Sequence, residues 1–231
     1  MTVSVLIPYR PEPSRRALAD LVVHRARAAV VPPGEVIVSD DRGENDDLFN
    51  HGQAVNIARA SASGDVLVIL DADTTYSNRI LFQKAVEQTA ADRRWRMPRY
   101  YRRLTESTTA RYLQDAPGGA FLPDEIEWEG DGVSWAGIVI VPAEHFDAVG
   151  GADERYVGWG ADDVALGLAL TTLVGPAVRY EGAALHLWHP RDEENLGWHR
   201  HSVAERELTD RYMAAAGDPV AMEALLEGKR L

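Results

Sequence analysis

The feature that most constrains this chain is the alternation in its first third. Short apolar, β-branched runs at 3–7, 36–38 and 66–70 are separated by stretches with helical spacing. Such runs are too brief for helices and suit strands buried on both faces. Pro8 closes the first run. Behind it, Ser14 is a candidate cap for a helix carrying Leu18, Leu21, Val22 and Arg25, which Pro32, Pro33 and Gly34 break. A second helix is expected over 54–62, stopped at Gly64. Strand, helix, strand, helix, strand is the pattern of a doubly wound parallel sheet.

In such sheets ligands gather outside the carboxyl ends of the strands. Carboxylates stand at those ends here, with Asp40-Asp41 after the second run and Asp71-Ala72-Asp73 after the third. On extended backbone, Asp71 and Asp73 at i and i+2 share a face and can converge on one hard cation such as Mg²⁺ or Mn²⁺. The same triplet also serves as a solvated turn. Asp40-Asp41 offers acceptors to a ribose or a base, or is likewise a solvated turn.

Further along, a helix is expected over 78–91, then an arginine-rich stretch to Arg111 and an acidic, glycine-rich loop over 117–132. Arg93, Arg94, Arg96, Arg99, Arg102, Arg103 and Arg111 read better as a solvated face than as a diphosphate site. A strand over 135–141, a short helix over 143–149 ended by Gly150-Gly151, a helix over 162–173, a strand over 178–187 and a helical tail over 203–226 complete the pattern.

Two segments in this half carry candidate chemistry. His186 and His189 lie three residues apart and share a face if the strand bends, which suits a mixed imidazole and carboxylate metal site. The plainer reading places one histidine in the core and the other on the surface. Gly158-Trp159-Gly160 precedes Asp162-Asp163 at a helix start. Tryptophan offers a sugar ring a stacking platform, and a nearby carboxylate can take the proton of an attacking hydroxyl. Either acid also suits a helix cap.

With 36 acidic against 24 basic residues the net charge is −12, which excludes general nucleic-acid binding, since that needs a basic footprint. A nucleotide ligand stays compatible, because a divalent cation can neutralise a diphosphate locally. There is no cysteine, which excludes disulfides, thiolate metal sites and cysteine nucleophiles. The first eight residues lack the pattern of a signal peptide, and no apolar run reaches the ~20 residues that span a bilayer. The expectation is a soluble, cytoplasmic protein of one domain over its 231 residues. Its nucleotide-binding half runs to about residue 110, an acceptor and metal half covers about 111–200, and a helical tail covers 201–231.

Taken in order, these segments resemble one family. Val3 to Arg10, including Pro8, Tyr9 and Arg10, resembles the opening strand of GT-A fold glycosyltransferases, a Rossmann-like α/β fold with a mostly parallel central sheet. Ile37 to Asp41 is similar to their second strand, whose terminal acid contacts the nucleoside. Phe49-Asn50, Asn56 and Gly64-Asp65 are similar to the segment before their Asp-x-Asp motif. Trp135-Ala136-Gly137, Phe146 to Gly151, Gly158 to Asp163 and His186 to Asp192 resemble the β-1,4-galactosyltransferase branch and its bacterial relatives.

The resemblance implies roles for these residues. It makes Asp73 and His189 metal ligands, with Asp71 nearer the ribose and His186 standing where that branch often carries methionine. It makes Asp163 the catalytic base, and Asp162 the counterpart of an acceptor-binding glutamate. Pro8, Tyr9, Arg10, Asp40, Asp41 and Asn56 fall on the donor side, as do Asp71, Ala72, Trp159 and Gly160. The implied activity is metal-dependent, inverting transfer of a sugar from a UDP-sugar or related donor to a glycan or other hydroxyl, with Mn²⁺ or Mg²⁺ as cofactor. The alternatives are a sugar-phosphate nucleotidyltransferase and a non-catalytic carbohydrate-binding module. The first usually needs a glycine-rich loop where Pro8 to Pro13 stands.

Overall fold

The computed structural model of the chain describes residues 1–30, 34–43, 48–114, 127–132, 135–158, 160–190 and 203–229. Pro32, Pro33, residues 117–126 of the expected loop, Trp159, Arg191 and Asp192 lie outside the described residues.

Strand β1 (Val3–Pro8) is buried along its whole length and pairs in parallel with β2 (Gly34–Ser39) on one side and β3 (Val66–Leu70) on the other. The next strand inward, β7 (Ile138–Pro142), runs antiparallel to β3, and β5 (Arg96–Leu104) runs antiparallel to β7. These two reversals return β5 to the direction of β3. The strand β8 (Val178–His186) pairs in parallel with β5 over most of its length, and the short β4 (Thr74–Tyr76) closes the far edge. A further strand, β6 (Trp128–Gly132), pairs with the second half of β5. The result is a mixed α/β sheet in the order β2-β1-β3-β7-β5-β8-β4, in which β1, β2, β3, β5 and β8 point their carboxyl ends at one edge.

The period-2 alternation of the strands sends side chains to two layers. Val3, Val5 and Ile7 pack with Val66, Val68 and Leu70 against α1 (Arg16–Ala29) and α3 (Arg79–Asp92), through Leu18, Val22, Phe82 and Val86. Tyr112 of α4 (Glu106–Gln114) joins that layer. On the other face, Leu6, Leu67 and Ile69 pack against α2 (His51–Ser61), α5 (Ala143–Ala148) and α6 (Asp162–Leu173). Each large apolar side chain so buried contributes roughly 1.5–3 kcal/mol. The tail folds onto this second layer as α7 (Val203–Ala215) and α8 (Pro219–Glu227), burying Leu208, Tyr212, Met222 and Leu225. Tyr212 also donates its hydroxyl proton to Asp153 at 2.7 Å.

Several expectations are corrected. Ser14 does not cap α1; the helix opens after Arg15 without a side-chain cap, and the Ser14 hydroxyl donates to Glu12 instead. The single tail helix is two, broken at Gly217 (φ +81°), with Asp218 accepting from the N–H groups of Val220 and Ala221. The strand expected from Trp135 begins only at Ile138, because Gly137 takes φ +90°. Within the arginine-rich stretch lies β5, whose Arg96 is buried and tied to Asp92 and to the Arg94 carbonyl. Pairing on both sides overrides the local polarity there.

Candidate active site

The shared carboxyl edge brings the candidate residues together in three groups. Where β1 and β2 end, the Tyr9 N–H donates to the Ser39 carbonyl at 2.7 Å, which carries the register one residue past Pro8. Arg10 then grips Asp41 with a fork of hydrogen bonds from Nε (3.0 Å) and Nη2 (2.6 and 2.7 Å), the two side chains being 12% and 3% exposed. The Asn50 N–H adds a bond to Asp41 at 2.7 Å. Burial alone raises the Asp41 pKa, but the bonds from Arg10 and Asn50 and the guanidinium charge together hold it below the usual carboxylate range. Asp41 is thus tied to Arg10 and to the start of α2. Its half-exposed neighbour Asp40 accepts from the N–H of Arg42 in a tight turn.

After β3 the chain does not stay extended. The Thr74 N–H bonds back to the Asp71 carbonyl at 3.0 Å, so residues 71–74 form a turn and the two carboxylates diverge. Half-buried Ala72 sits between them and packs on the first core layer. Asp73 turns toward the end of β8. Its oxygens lie 3.7 Å from His186 Nε2, 3.4 Å from His189 Nε2 and 3.3 Å from Arg15 Nη1. The strand bends after His186, held by Leu187 N–H to the Asp73 carbonyl at 2.8 Å and Trp188 N–H to Thr109 Oγ1 at 2.8 Å. That bend puts both imidazoles on one side, with ring centroids 5.3 Å apart. Nδ1 of His189 lies 3.0 Å from the Pro190 carbonyl, which leaves Nε2 facing Asp73. Burial opposes ionisation of Asp73, yet its bond to His189 and the charges of His186 and Arg15 hold its pKa well below the ordinary value.

One ligand atom from each of Asp73, His186 and His189 lies within 4.8 Å of the other two. A carboxylate and two imidazoles in a half-buried recess form a donor set suited to a borderline divalent cation, with coordination positions left for phosphate oxygens. Asp71 is not in that cluster. It accepts from the Gly137 N–H at 3.1 Å and lies 3.3 Å from His51 Nε2. A Cβ on Gly137 would stand 3.1 Å from Thr74 and from the Tyr101 ring, so this glycine is needed both for its φ and for space.

The third group opens α6. Ala161, at the N-cap position, offers no side-chain cap. Asp162 meets His51 Nδ1 at 2.7 Å, while Asp163 accepts from the Val164 N–H at 2.7 Å. Burial, then the charges of Asp162 and Asp71, push the Asp163 pKa up to about 7, against the pull of Val164 and His51. A carboxyl with that pKa exchanges its proton near neutrality, as a general base requires. Facing Asp73, Asp71 and Asp163 is Tyr101, whose phenol is driven up by burial and then by those three charges.

Not every expected residue points into this recess. Asn56 makes its bonds to the loop after α5, donating to the Ala152 carbonyl (3.0 Å) and to Glu154 (2.7 Å) and accepting from the Ala152 N–H (2.9 Å). Gly160 packs against Tyr156, and Gly158, at φ +83°, donates its N–H to the Phe49 carbonyl at 2.9 Å. His51, Tyr101 and Arg15 were not singled out from the sequence. A lone histidine at a helix start has no spacing signature, and Tyr101 sits among arginines whose pattern reads as a solvated face.

No protein-family model and no curated protein sequence matches the chain. Solved structures do. The catalytic domain of Drosophila β-1,4-galactosyltransferase 7, in complex with xylobiose, superposes with a TM-score of 0.53 at 17% identity, covering 91% of this chain and 80% of that one. A mannosyltransferase from Pyrobaculum calidifontis, in complex with GDP-Man and Mn²⁺, gives 0.52 at 16% identity, covering 97% and 68%. The chain therefore has a GT-A glycosyltransferase-like fold.

Proposed function

We propose that this chain is a divalent-metal-dependent glycosyltransferase that moves a sugar from a nucleoside-diphosphate donor to an acceptor hydroxyl with inversion. The observation that carries the reading is the meeting, at one sheet edge, of a metal-type cluster (Asp73, His186, His189) and a carboxyl poised near neutrality (Asp163). The solved structures of the same fold support it, since the mannosyltransferase among them is a complex with GDP-Man and Mn²⁺. The sequence resemblance favours a UDP-sugar.

On this reading Asp73, His186 and His189 would hold the cation, which would supply positive charge to the diphosphate of a nucleotide-sugar donor. Asp40 serves the nucleoside, while Arg10 and Asp41 keep the strand ends in place. The acceptor oxygen attacks the anomeric carbon as the bond to the diphosphate oxygen breaks, and the leaving nucleotide takes the electron pair. Asp163 receives the acceptor proton, a contribution worth about 10²–10⁴-fold in rate. Asp162 orients the acceptor, and Trp159 stacks on sugar. We read the tail helices α7 and α8 as part of the same domain, a reading supported by their buried residues in the second core layer.

The test is nucleotide release from a panel of sugar nucleotides with and without Mn²⁺, for wild type and Asp163→Asn. Metal-dependent release from one donor, lost in Asp163→Asn, is the expected result. Sugar binding with no donor consumed, across a range of acceptors, would leave the non-catalytic carbohydrate-binding reading in its place.

A further inference from the structure

His51 is the first residue of α2, and its position is fixed from behind. The Asn50 side chain accepts from the Gln53 N–H at 2.9 Å and donates to the Glu154 carbonyl at 2.7 Å, while the Asn50 N–H is held by Asp41. The Phe49 ring meets the imidazole edge-on at a centroid distance of 6.4 Å. From this mount the two ring nitrogens reach opposite sides of the recess, Nδ1 to Asp162 at 2.7 Å and Nε2 to Asp71 at 3.3 Å. The side chains are only 28%, 14% and 27% exposed for His51, Asp162 and Asp71. One imidazole thus ties the end of β3, on the donor side, to the start of α6, on the acceptor side.

We propose that His51 is a positioning residue for the transfer reaction: it fixes Asp162 and Asp71 across the recess, and so leaves Asp163 as the one acid of the pair free to take the acceptor proton. The inference rests on the glycosyltransferase reading and deepens it. Asp162 and Asp163 are neighbours on one helical turn, and apart from the family resemblance nothing in their chemistry or spacing distinguishes a base from a binder. The imidazole does, because a carboxylate engaged by a short, charge-assisted bond is held in one place and is a poorer proton acceptor. The groups that act on Asp163 are Asp162, Asp71, His51, the Val164 N–H and, from β5, Tyr101. Among these groups of the described residues, His51 is the side chain that brings positive charge.

The experiment compares wild type with His51→Ala, His51→Gln and His51→Arg in transfer from the donor that supports turnover. It records kcat, both KM values and the pH profile of kcat/KM. His51→Ala is expected to lower kcat by about tenfold or more, raise the acceptor KM, leave the donor KM within about threefold, and move the acid limb to higher pH. His51→Gln keeps polar reach without charge and should leave the limb displaced. His51→Arg supplies two donors and a charge, and should bring back the limb and most of kcat. A merely structural histidine would lower active protein without moving the limb; that outcome, or wild-type kinetics in His51→Ala, overturns the proposal and leaves the transferase reading intact. Should His51→Ala fail to fold, the Gln and Arg variants carry the same comparison. A wild type that consumes no sugar nucleotide with any acceptor overturns the transferase reading, and this proposal with it.

Discussion

Nδ1 of His51 and Oδ2 of Asp162 lie 2.7 Å apart, although 111 positions separate them in the chain. This contact sorts the acids of the recess into different duties. Asp73 faces two imidazoles and Arg15; Asp71 and Asp162 share His51; among the described residues Asp163 is left with a backbone N–H. A cluster of carboxylates that would repel one another is thereby divided into a metal-type group, a clamped pair and a base, each defined by its partners.

That division predicts how metal affinity responds to substitution. Asp73→Ala and His189→Ala should each weaken Mn²⁺ binding by about tenfold or more in calorimetry, and chelation by EDTA should bring transfer to background. Asp71→Asn should keep Mn²⁺ affinity within a few-fold, since its carboxylate belongs to His51 and Gly137, while transfer still falls. Equal loss of Mn²⁺ in Asp71→Asn and Asp73→Ala would contradict the separation.

Tyr101 gives a second prediction. Burial and then the charges of Asp73, Asp71 and Asp163 keep its phenol protonated across the working range, so its O–H stays available as a donor. A donor among carboxylates, beside a recess suited to phosphates, favours an anionic oxygen of substrate. Tyr101→Phe should therefore cut kcat/KM by about tenfold while the melting temperature stays equal or rises. A fall in stability with unchanged kinetics would assign the hydroxyl to folding instead.

Arg10 and Asp41 predict a stability effect. Asp41 is nearly sealed from solvent, and among the described residues Arg10→Ala leaves its charge with the Asn50 and Gly43 N–H groups. Losing one partner of a buried pair costs about 3 kcal/mol. Because ionised Asp41 is stabilised in the fold, the advantage of wild type over Arg10→Ala in urea unfolding should be full at neutral pH. It should shrink as acid protonates the carboxylate. Arg10→Lys should recover only part of it, since an ammonium cannot reproduce the fork.

How much of this was legible in the sequence follows from which forces are local. β1, β2 and β3 read plainly because strands buried on both faces are continuous apolar runs, and Asp71, Asp73, His186 and His189 read as chemistry through position and spacing. The Asp-x-Asp spacing misled on geometry, since it presumes extended backbone where Gly137 and Thr74 impose a turn. β5 was hidden because pairing with β8 and β6 outweighs the four arginines of Arg96–Leu104 and the two, Arg93 and Arg94, just before it. His51 stayed invisible because its partners lie 20 and 111 residues away. Nothing in a single sequence states such distances.

Asp163 carries the last prediction, in which function and stability pull in opposite directions. Its carboxyl is raised from an ordinary 3.8 to about 7 by burial and by its acidic neighbours. The folded chain therefore holds this proton more tightly than the unfolded chain does, and ionising it in the fold lowers stability. That loss is absent below about pH 4, grows between about 4 and 7, and is complete above 7. Asp163→Asn can still accept from the Val164 N–H but carries no charge. It should raise the melting temperature by a few degrees at pH 8, on the order of 1–2 kcal/mol after allowance for solvent screening, and by much less at pH 5. The same variant should lose about 10²–10⁴-fold in kcat, while wild-type kcat/KM falls as pH drops below about 7. Thermal scans and initial rates on one preparation read both effects. A variant that is slower yet no more stable at pH 8 than at pH 5 would show that the proton is lost elsewhere, and the base would have to be sought among the other acids of the recess.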